Sequence, residues 1–475
     1  MKTSQRITLA VVSIATAMLM LDIAVVNTAI PSIARDLHAD LHGVQWVVDA
    51  YTLALASVVL TAGSLADRLG RRRLFTVGLG IFTVASLASA LAGDIAVLNA
   101  ARAVQGVGGA IMFAVSLALL AHAFPKPRER AGALAVYGAT IGASFAVGPL
   151  AGGALTTGLN WRWIFLVNIP IGLVALVATF RGVEESRDPN ARSIDWIGQI
   201  VLGGGLFLLV LALLRGNVDG WTSTPIVAEL AGAVALLGLF VVVERTVREP
   251  MLPLGHFRIR AFTGAQVAAF AISGSFFAVY LYATLYLQNV LGMSAVGAGL
   301  AYLPATVLIF IVSGASAQLL ERVRPAVMIG GGLALVSLGM LVMSLMVHTD
   351  SSWTATLPGM LIAGLGTGLF NPAVSGVALS SLPDEQSGLA AGVNDTFRQA
   401  GIAVGIAGLG ALIPAKAALG QDPVAYTHGL QDALTVGAAL AAVGAIVATH
   451  LLRRVRSAAP AASAEASAEL VPAAA

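Results

Sequence analysis

Cysteine is missing from all 475 residues, and charge is scarce: Asp, Glu, Lys and Arg together make up 11% of the chain. Without thiols there is no disulfide, no thiolate metal site and no cysteine nucleophile, and the redox compartment stays open. The seven histidines are scattered through loops and ends without metal-ligand spacing, so no metal is expected. A Gly-x-x-x-x-Gly-Lys-Ser/Thr loop for ATP phosphates is absent, and so is the nucleophile elbow Gly-x-Ser-x-Gly. These absences leave no enzyme reading and no cofactor. The energy source that remains is an ion gradient.

What the chain has instead is apolar surface. Hydrophobic residues are 57% of it, and the mean hydropathy is +0.87, too high for a water-soluble globule of this length. The expected fold class is an all-α polytopic membrane protein. A hydrocarbon core about 30 Å thick takes roughly 20 helical residues to cross, and runs of that length recur. β-Barrel strands alternate in polarity at every second residue; these runs are continuous and too long for that.

Apolar runs between polar or Pro/Gly breaks predict about fourteen transmembrane helices. Six fall at 7–30, 44–65, 74–93, 95–121, 131–156 and 161–181, two at 194–214 and 225–244, and six at 261–288, 294–318, 325–347, 354–380, 388–413 and 430–452. The first run is too long for a cleaved leader and carries Asp22 and Asn27, so it reads as a retained helix. An even count puts both ends on one side. The termini and the gaps after even-numbered helices hold 21 of the 27 Lys and Arg, which predicts cytoplasmic termini in an inner cell membrane. The net charge of +3 is thus a topology signal in short loops, and no nucleic-acid partner is expected.

A faint repeat divides the chain. Gly63, Arg71 and Arg73 recur in spacing as Gly314, Arg322 and Arg324, with the acid replaced by Gln318. Duplication of this kind is common in transporters. The expected domains are two six-helix bundles, 1–181 and 261–456, separated by a two-helix insertion with cytosolic joints, 182–260, and followed by a disordered tail, 457–475.

The most telling stretch is Gly63-Ser64-Leu65-Ala66-Asp67-Arg68-Leu69-Gly70-Arg71-Arg72-Arg73, between the second and third helices. Its arginines hold the loop in the cytosol, but they do not account for Asp67 or the two glycines. The pattern Gly-x-x-x-Asp-Arg-x-Gly-Arg-Arg-Arg resembles the corresponding loop of major facilitator superfamily transporters. That resemblance implies a conformational latch formed by Gly63, Asp67, Arg68, Gly70, Arg71 and Arg72, with Asp67 facing the positive N-terminal end of a helix in the other half.

Further motifs sharpen the resemblance toward the 14-helix drug:proton antiporters of that superfamily. Leu21-Asp22-Ile23-Ala24-Val25-Val26-Asn27-Thr28-Ala29-Ile30-Pro31 looks like their first-helix sequence, and Trp161-Arg162-Trp163 through Gly172 like the start of their sixth. In the fifth helix, Gly142, Ser144, Gly148, Pro149, Gly152 and Gly153 resemble the antiporter motif Gly-Pro-x-x-Gly-Gly, Ser144 standing where glycine is usual. Small residues at this spacing also serve dry helix packing. Leu98-x-x-x-Arg102-x-x-Gln105-Gly106 matches the pattern that the family associates with proton coupling; the plainer alternative is an arginine snorkelling to an interface.

Asp22 lies about 22 Å along its helix, at 1.5 Å per residue, as an ionisable group in apolar surroundings. With Arg102 it is the expected proton-coupling residue; the alternative is a carboxyl capping a neighbouring helix or bonded to a serine. Asp49, about one turn inside the second helix, either binds a substrate cation or reaches surface water. Asp395 and Arg398, three residues apart on the thirteenth helix, are spaced to pair. The pair is either structural or a gate. Trp46 and the Trp161 segment suit an interfacial belt. Tyr280, Tyr282, Tyr286 and Gln288 either line a cavity or sit at that interface, and Glu229 carries no assigned role. The expected substrate cavity thus comprises Asp22, Asn27, Asp49, Tyr282, Asp395 and Arg398.

The resemblance implies a monomeric exporter whose partners are a small-molecule substrate, protons and membrane lipids. It would move lipophilic, cationic compounds outward by alternating access, with Asp22 taking a proton as substrate leaves. A dedicated exporter of one natural product has the same motifs. An importer or uniporter of this fold needs neither the Gly148-Pro149 helix nor a protonatable Asp22.

Overall fold

The computed structural model describes residues 2–187, 195–319, 322–383, 386–414, 417 and 422–455. The expected disordered tail lies outside them. The long helices are α1 (Thr3–Asp36), α2 (Leu41–Leu69), α3 (Arg71–Ala90), α4 (Ile95–Ala123), α5 (Pro127–Gly158), α6 (Trp163–Gly182), α7 (Trp196–Asp219), α8 (Thr224–Thr246), α9 (Arg260–Val290), α10 (Ala295–Leu319), α11 (Pro325–Met346), α12 (Leu357–Ser380), α13 (Ser387–Gly410) and α14 (Pro423–Leu452). Among the described residues, twelve helices are long and apolar enough to cross a membrane. The fourteen expected from the apolar runs exceed these by α5 and α13, which are 32 and 24 residues long.

Acidic residues start several of these helices. Asp40, Asp94, Asp195 and Asp422 each accept a hydrogen bond from the backbone N–H three residues on, at 2.8–2.9 Å. Each satisfies an orphan donor and complements the helix dipole. The Asp40 cap starts α2 at Leu41, three residues before the expected boundary, so Asp49 lies two turns deep instead of one.

The repeat is explicit in the packing. In the first six helices α1 packs on α5, α2 on α4, α3 on α4, and α3 on α6; in the last six α9 packs on α13, α10 on α12, α11 on α12, and α11 on α14. Adding eight to each label converts one set into the other. The two seams between the sets, α5 with α10 and α13 with α2, exchange under the same operation. α7 and α8 pack on each other, and α7 also lies on α2 and α13, covering that seam. One end of the molecule carries both the start of α1 and the end of α14, and it is called the terminal end below.

Candidate functional site

Asp22 on α1 is not a carboxyl alone in apolar surroundings, which corrects the expectation for it. Arg102 Nη1 on α4 donates to Asp22 Oδ2 at 2.5 Å. Gln105 Nε2 and Asn168 Nδ2, on α4 and α6, donate to Oδ1 at 2.8 and 3.1 Å. Both amides also reach Ser86 Oγ on α3, at 3.0 and 3.3 Å. Arg102 is completed by the Val47 carbonyl at 3.0 Å and the Gln105 side-chain oxygen at 2.7 Å. Its guanidinium lies 4.3 Å from the Tyr51 ring centroid and 5.6 Å from that of Phe165, two cation–π contacts. Arg102 and Asp22 are each 1% exposed, so the arginine does not snorkel and the acid does not line an open cavity.

The other two deep acids have the opposite character. Asp49 on α2 is 0% exposed, and neither of its oxygens has a hydrogen-bond partner. The surface-water reading of Asp49 therefore fails. Asp395 on α13 is buried, with Oδ2 unpaired and Oδ1 at a long 3.5 Å from Gln399 Nε2. The expected Asp395–Arg398 contact is replaced. Arg398 donates to Asn394 one turn back at 3.4 Å and to Asn371 on α12 at 3.2 Å, because the four-residue spacing and the facing amide suit its reach better. The Tyr51 ring lies 4.3 Å from the Arg102 guanidinium and so belongs to the same centre as Asp22.

Two other expected cavity residues are engaged elsewhere. Asn27 donates to the Ile23 carbonyl of its own helix at 3.1 Å. Tyr282 is fully buried; its hydroxyl accepts from Gln45 Nε2 at 2.8 Å and donates to the Ile406 carbonyl. Tyr286 and Gln288 are likewise used in buried hydrogen bonds, to the His348 and Thr28 carbonyls. Of the aromatics in that segment Trp163 is exposed, whereas Trp161 is 3% exposed, and its indole N–H and Arg162 both donate to Asp36, at 2.9 and 2.6 Å. Trp46 packs against Phe207 of α7, with the rings tilted by 41°. Glu229 is paired with Arg215, joining α8 to α7.

The arginine loop is organised by a residue that sequence reasoning missed. Glu185, just after α6, accepts from the backbone N–H groups of Arg72 and Arg73 at 3.0 and 3.2 Å and so caps α3. Gly70 has φ +112°, which favours glycine, and a Cβ there would meet the Glu185 carboxylate at 2.8 Å and displace it. Asp67 accepts from Arg71 Nε at 3.0 Å, on its own side of the molecule. Arg68 is exposed, and nothing lies within 4 Å of a Cβ built on Gly63.

On α5 the small residues divide between two partners. Gly148 and Gly152 lie against Ala24, Val25 and Thr28 of α1, whereas Gly153 lies against the backbone of Ala295 and Val296 on α10. Pro149 backbone atoms in turn approach Gly299 of α10. Ser144 donates to the Thr140 carbonyl at 2.8 Å. Gly142 belongs to α5, but its surroundings are outside the described side chains.

Comparison with known proteins fits this arrangement. The sequence model of the Major Facilitator Superfamily matches residues 12–406. The chain belongs to that superfamily. It is therefore a multi-pass membrane transporter and not an enzyme. Relatives include "Multidrug resistance protein Stp" of Mycobacterium tuberculosis (strain CDC 1551 / Oshkosh), 36% identical over 426 residues, or 89% of this chain and 78% of that protein. "Puromycin resistance protein pur8" of Streptomyces alboniger is 37% identical over 94% of this chain and 90% of its own length. "Tetracenomycin C resistance and export protein" of Streptomyces glaucescens is 35% identical over 86% of this chain and 76% of its own. Among solved structures, a POT family transporter in complex with 5-aminolevulinic acid shares the fold with a TM-score of 0.69 at 13% identity, covering 94% of this chain and 96% of that one. The human organic anion transporter MFSD10 (TETRAN) does so with a TM-score of 0.64 at 15% identity, over 94% and 99% of the two chains.

Three residues of the centre carried no signal strong enough for assignment from sequence. Ser86 is one of two serines in its helix, and Tyr51 reads as an ordinary aromatic. Asn168 was visible as an amide inside an apolar run, which was the available clue.

Proposed function

We propose that the transporter is a proton-coupled antiporter that exports lipophilic, cationic drugs across the cytoplasmic membrane. The bundles 1–181 and 261–456 tilt against each other in turn, the insertion 182–260 rides on the α2/α13 seam, and both termini face the cytosol. The relatives named for drug resistance and export support the cargo class.

One observation carries the coupling: Asp49 and Asp395, on the α2 and α13 that form a seam between the bundles, are buried with unpaired oxygens. An unpaired ionised carboxylate is expensive to bury. Such a site is stable when a proton or a cation neutralises it, and the two occupants exclude each other. That exclusion is antiport. Asp22, with three side-chain donors, is committed to Arg102 and holds the first bundle's centre together. In the full cycle Asp67 leaves Arg71 and takes the latch position against the other bundle.

The test uses inverted membrane vesicles carrying the protein and energised with an inside-acid gradient. A lipophilic cation should partly collapse the gradient, and Asp49→Asn should abolish that response. A normal response from the Asn variant would overturn the assignment of Asp49. A second reading, export of one natural product, is favoured by relatives named for a single antibiotic; a panel of chemically unrelated cations in the same vesicles separates the two.

A further inference from the structure

At the end opposite the termini the two bundles are pinned by side-chain amides. Gln45, on the first turns of α2, donates its Nε2 to Tyr282 Oη of α9 at 2.8 Å, and Tyr282 passes the bond on to the Ile406 carbonyl of α13. Gln288 of α9 donates to the Thr28 carbonyl of α1 at 2.8 Å. Gln45 is 2% exposed and Tyr282 0%, so these bonds are made away from water, where breaking one leaves an unsatisfied group. A Cβ at Gly410 would collide with both Gln45 Nε2 and Tyr282 Oη, so a larger residue there would displace the two side chains that form the knot. The crevice beside this knot, lined by His42, Gln45, Asn217 and Ala407, holds about 10 Å³, room for a water molecule and not for a substrate.

Directly below sits the free acid. Asp49 is four residues after Gln45 on α2, one turn away on the same face. Its oxygens have no donor, and Gln45 has its own side-chain oxygen unpaired.

We propose that the Gln45–Tyr282 hydrogen bond is the outer gate of the transporter, seconded by Gln288–Thr28, and that Asp49 controls it by competing for the Gln45 amide. When Asp49 is ionised its carboxylate accepts Gln45 Nε2, Tyr282 loses its link to the first bundle, and the outer ends part. When Asp49 is protonated it stops competing, and the amide returns to Tyr282. This inference rests on the antiport reading above, and it supplies the order that antiport needs: the gate opens with cargo on the ionised acid and closes on the arriving proton. Other ionisable groups near the knot are Tyr426 of α14, which donates to the Tyr282 carbonyl, His42 of α2 in the crevice, and Arg102 of α4, bound to the Val47 carbonyl.

The absence of cysteine makes the experiment direct, because any introduced thiol is the only one. Ala407→Cys places a reporter at a 0% exposed position beside the knot, and intact cells are treated with a membrane-impermeant maleimide. Labelling should be slow at acidic external pH and faster at alkaline pH. Tyr282→Phe, which keeps the ring, and Gln45→Ala should each raise the acidic rate roughly fivefold, the population shift of one lost buried hydrogen bond. Asp49→Asn should stay slow at every pH. Unchanged labelling in both Gln45→Ala and Tyr282→Phe overturns the gate, and Asp49→Asn labelling that follows pH as the parent does overturns its control. A Glu184→Cys reporter, exposed at the terminal end, tests the orientation separately: if it labels in intact cells, the cytoplasmic placement of the termini is wrong, and the gate is then read from inverted vesicles.

Discussion

Arg102 and Asp22 meet at 2.5 Å with side chains that are 1% and 0% exposed. A pair this deep is held by geometry. Removing one partner strands the other charge, at about 3–5 kcal/mol, whereas an apolar replacement of both is often neutral. Arg102→Met alone and Asp22→Leu alone should each lower the thermal unfolding temperature of the detergent-purified protein by several degrees. The double variant should recover much of that loss without recovering export. A double variant that is no more stable than the singles would show that the surrounding amides, not the ion pair, dominate the centre.

Asp49 and Asp395 should respond in the opposite way. Each is a buried acid with an unpaired oxygen, so Asn in its place removes a desolvation burden. Asp49→Asn and Asp395→Asn are expected to leave the unfolding temperature unchanged or raised, while export of cationic drugs from cells falls at least tenfold for Asp49→Asn. Stability loss comparable to that of Asp22→Leu would show that a hidden partner satisfies them.

The α3 cap gives a purely structural test. Gly70→Ala forces a left-handed backbone on a residue with a Cβ, about 1–2 kcal/mol, and pushes that Cβ into Glu185. Hydrogen exchange should speed up at the Arg72 and Arg73 amides that Glu185 accepts. Glu185→Gln, which keeps an acceptor oxygen, should show a smaller effect.

On α5, Gly153→Val should block export without unfolding the protein, since the added side chain meets the Ala295 carbonyl across the bundle seam. Gly138→Ala on the same helix is the control: nothing lies within 4 Å of its Cβ position. Equal loss from both substitutions would argue that any side chain added to α5 blocks export, and not contact at the seam.

Composition, run length and loop charge were enough for the class of the protein, because in a bilayer every backbone polar group must be satisfied within a helix and each crossing needs its own apolar run. The arginine loop, the Gly148-Pro149 helix and the Arg102 motif pointed to the superfamily on local spacing alone. Pairing was beyond that reach. Asp22, Asp49 and Asp395 look alike as isolated acids in apolar runs, yet the first receives three side-chain donors from α4 and α6 and the others have unpaired oxygens. Which donor meets which acid depends on how helices far apart in the chain are rotated and spaced. The sequence by itself thus determined a helical membrane transporter and the positions of its ionisable residues; only the tertiary structure decided which of them are neutralised within the protein and which keep unpaired oxygens.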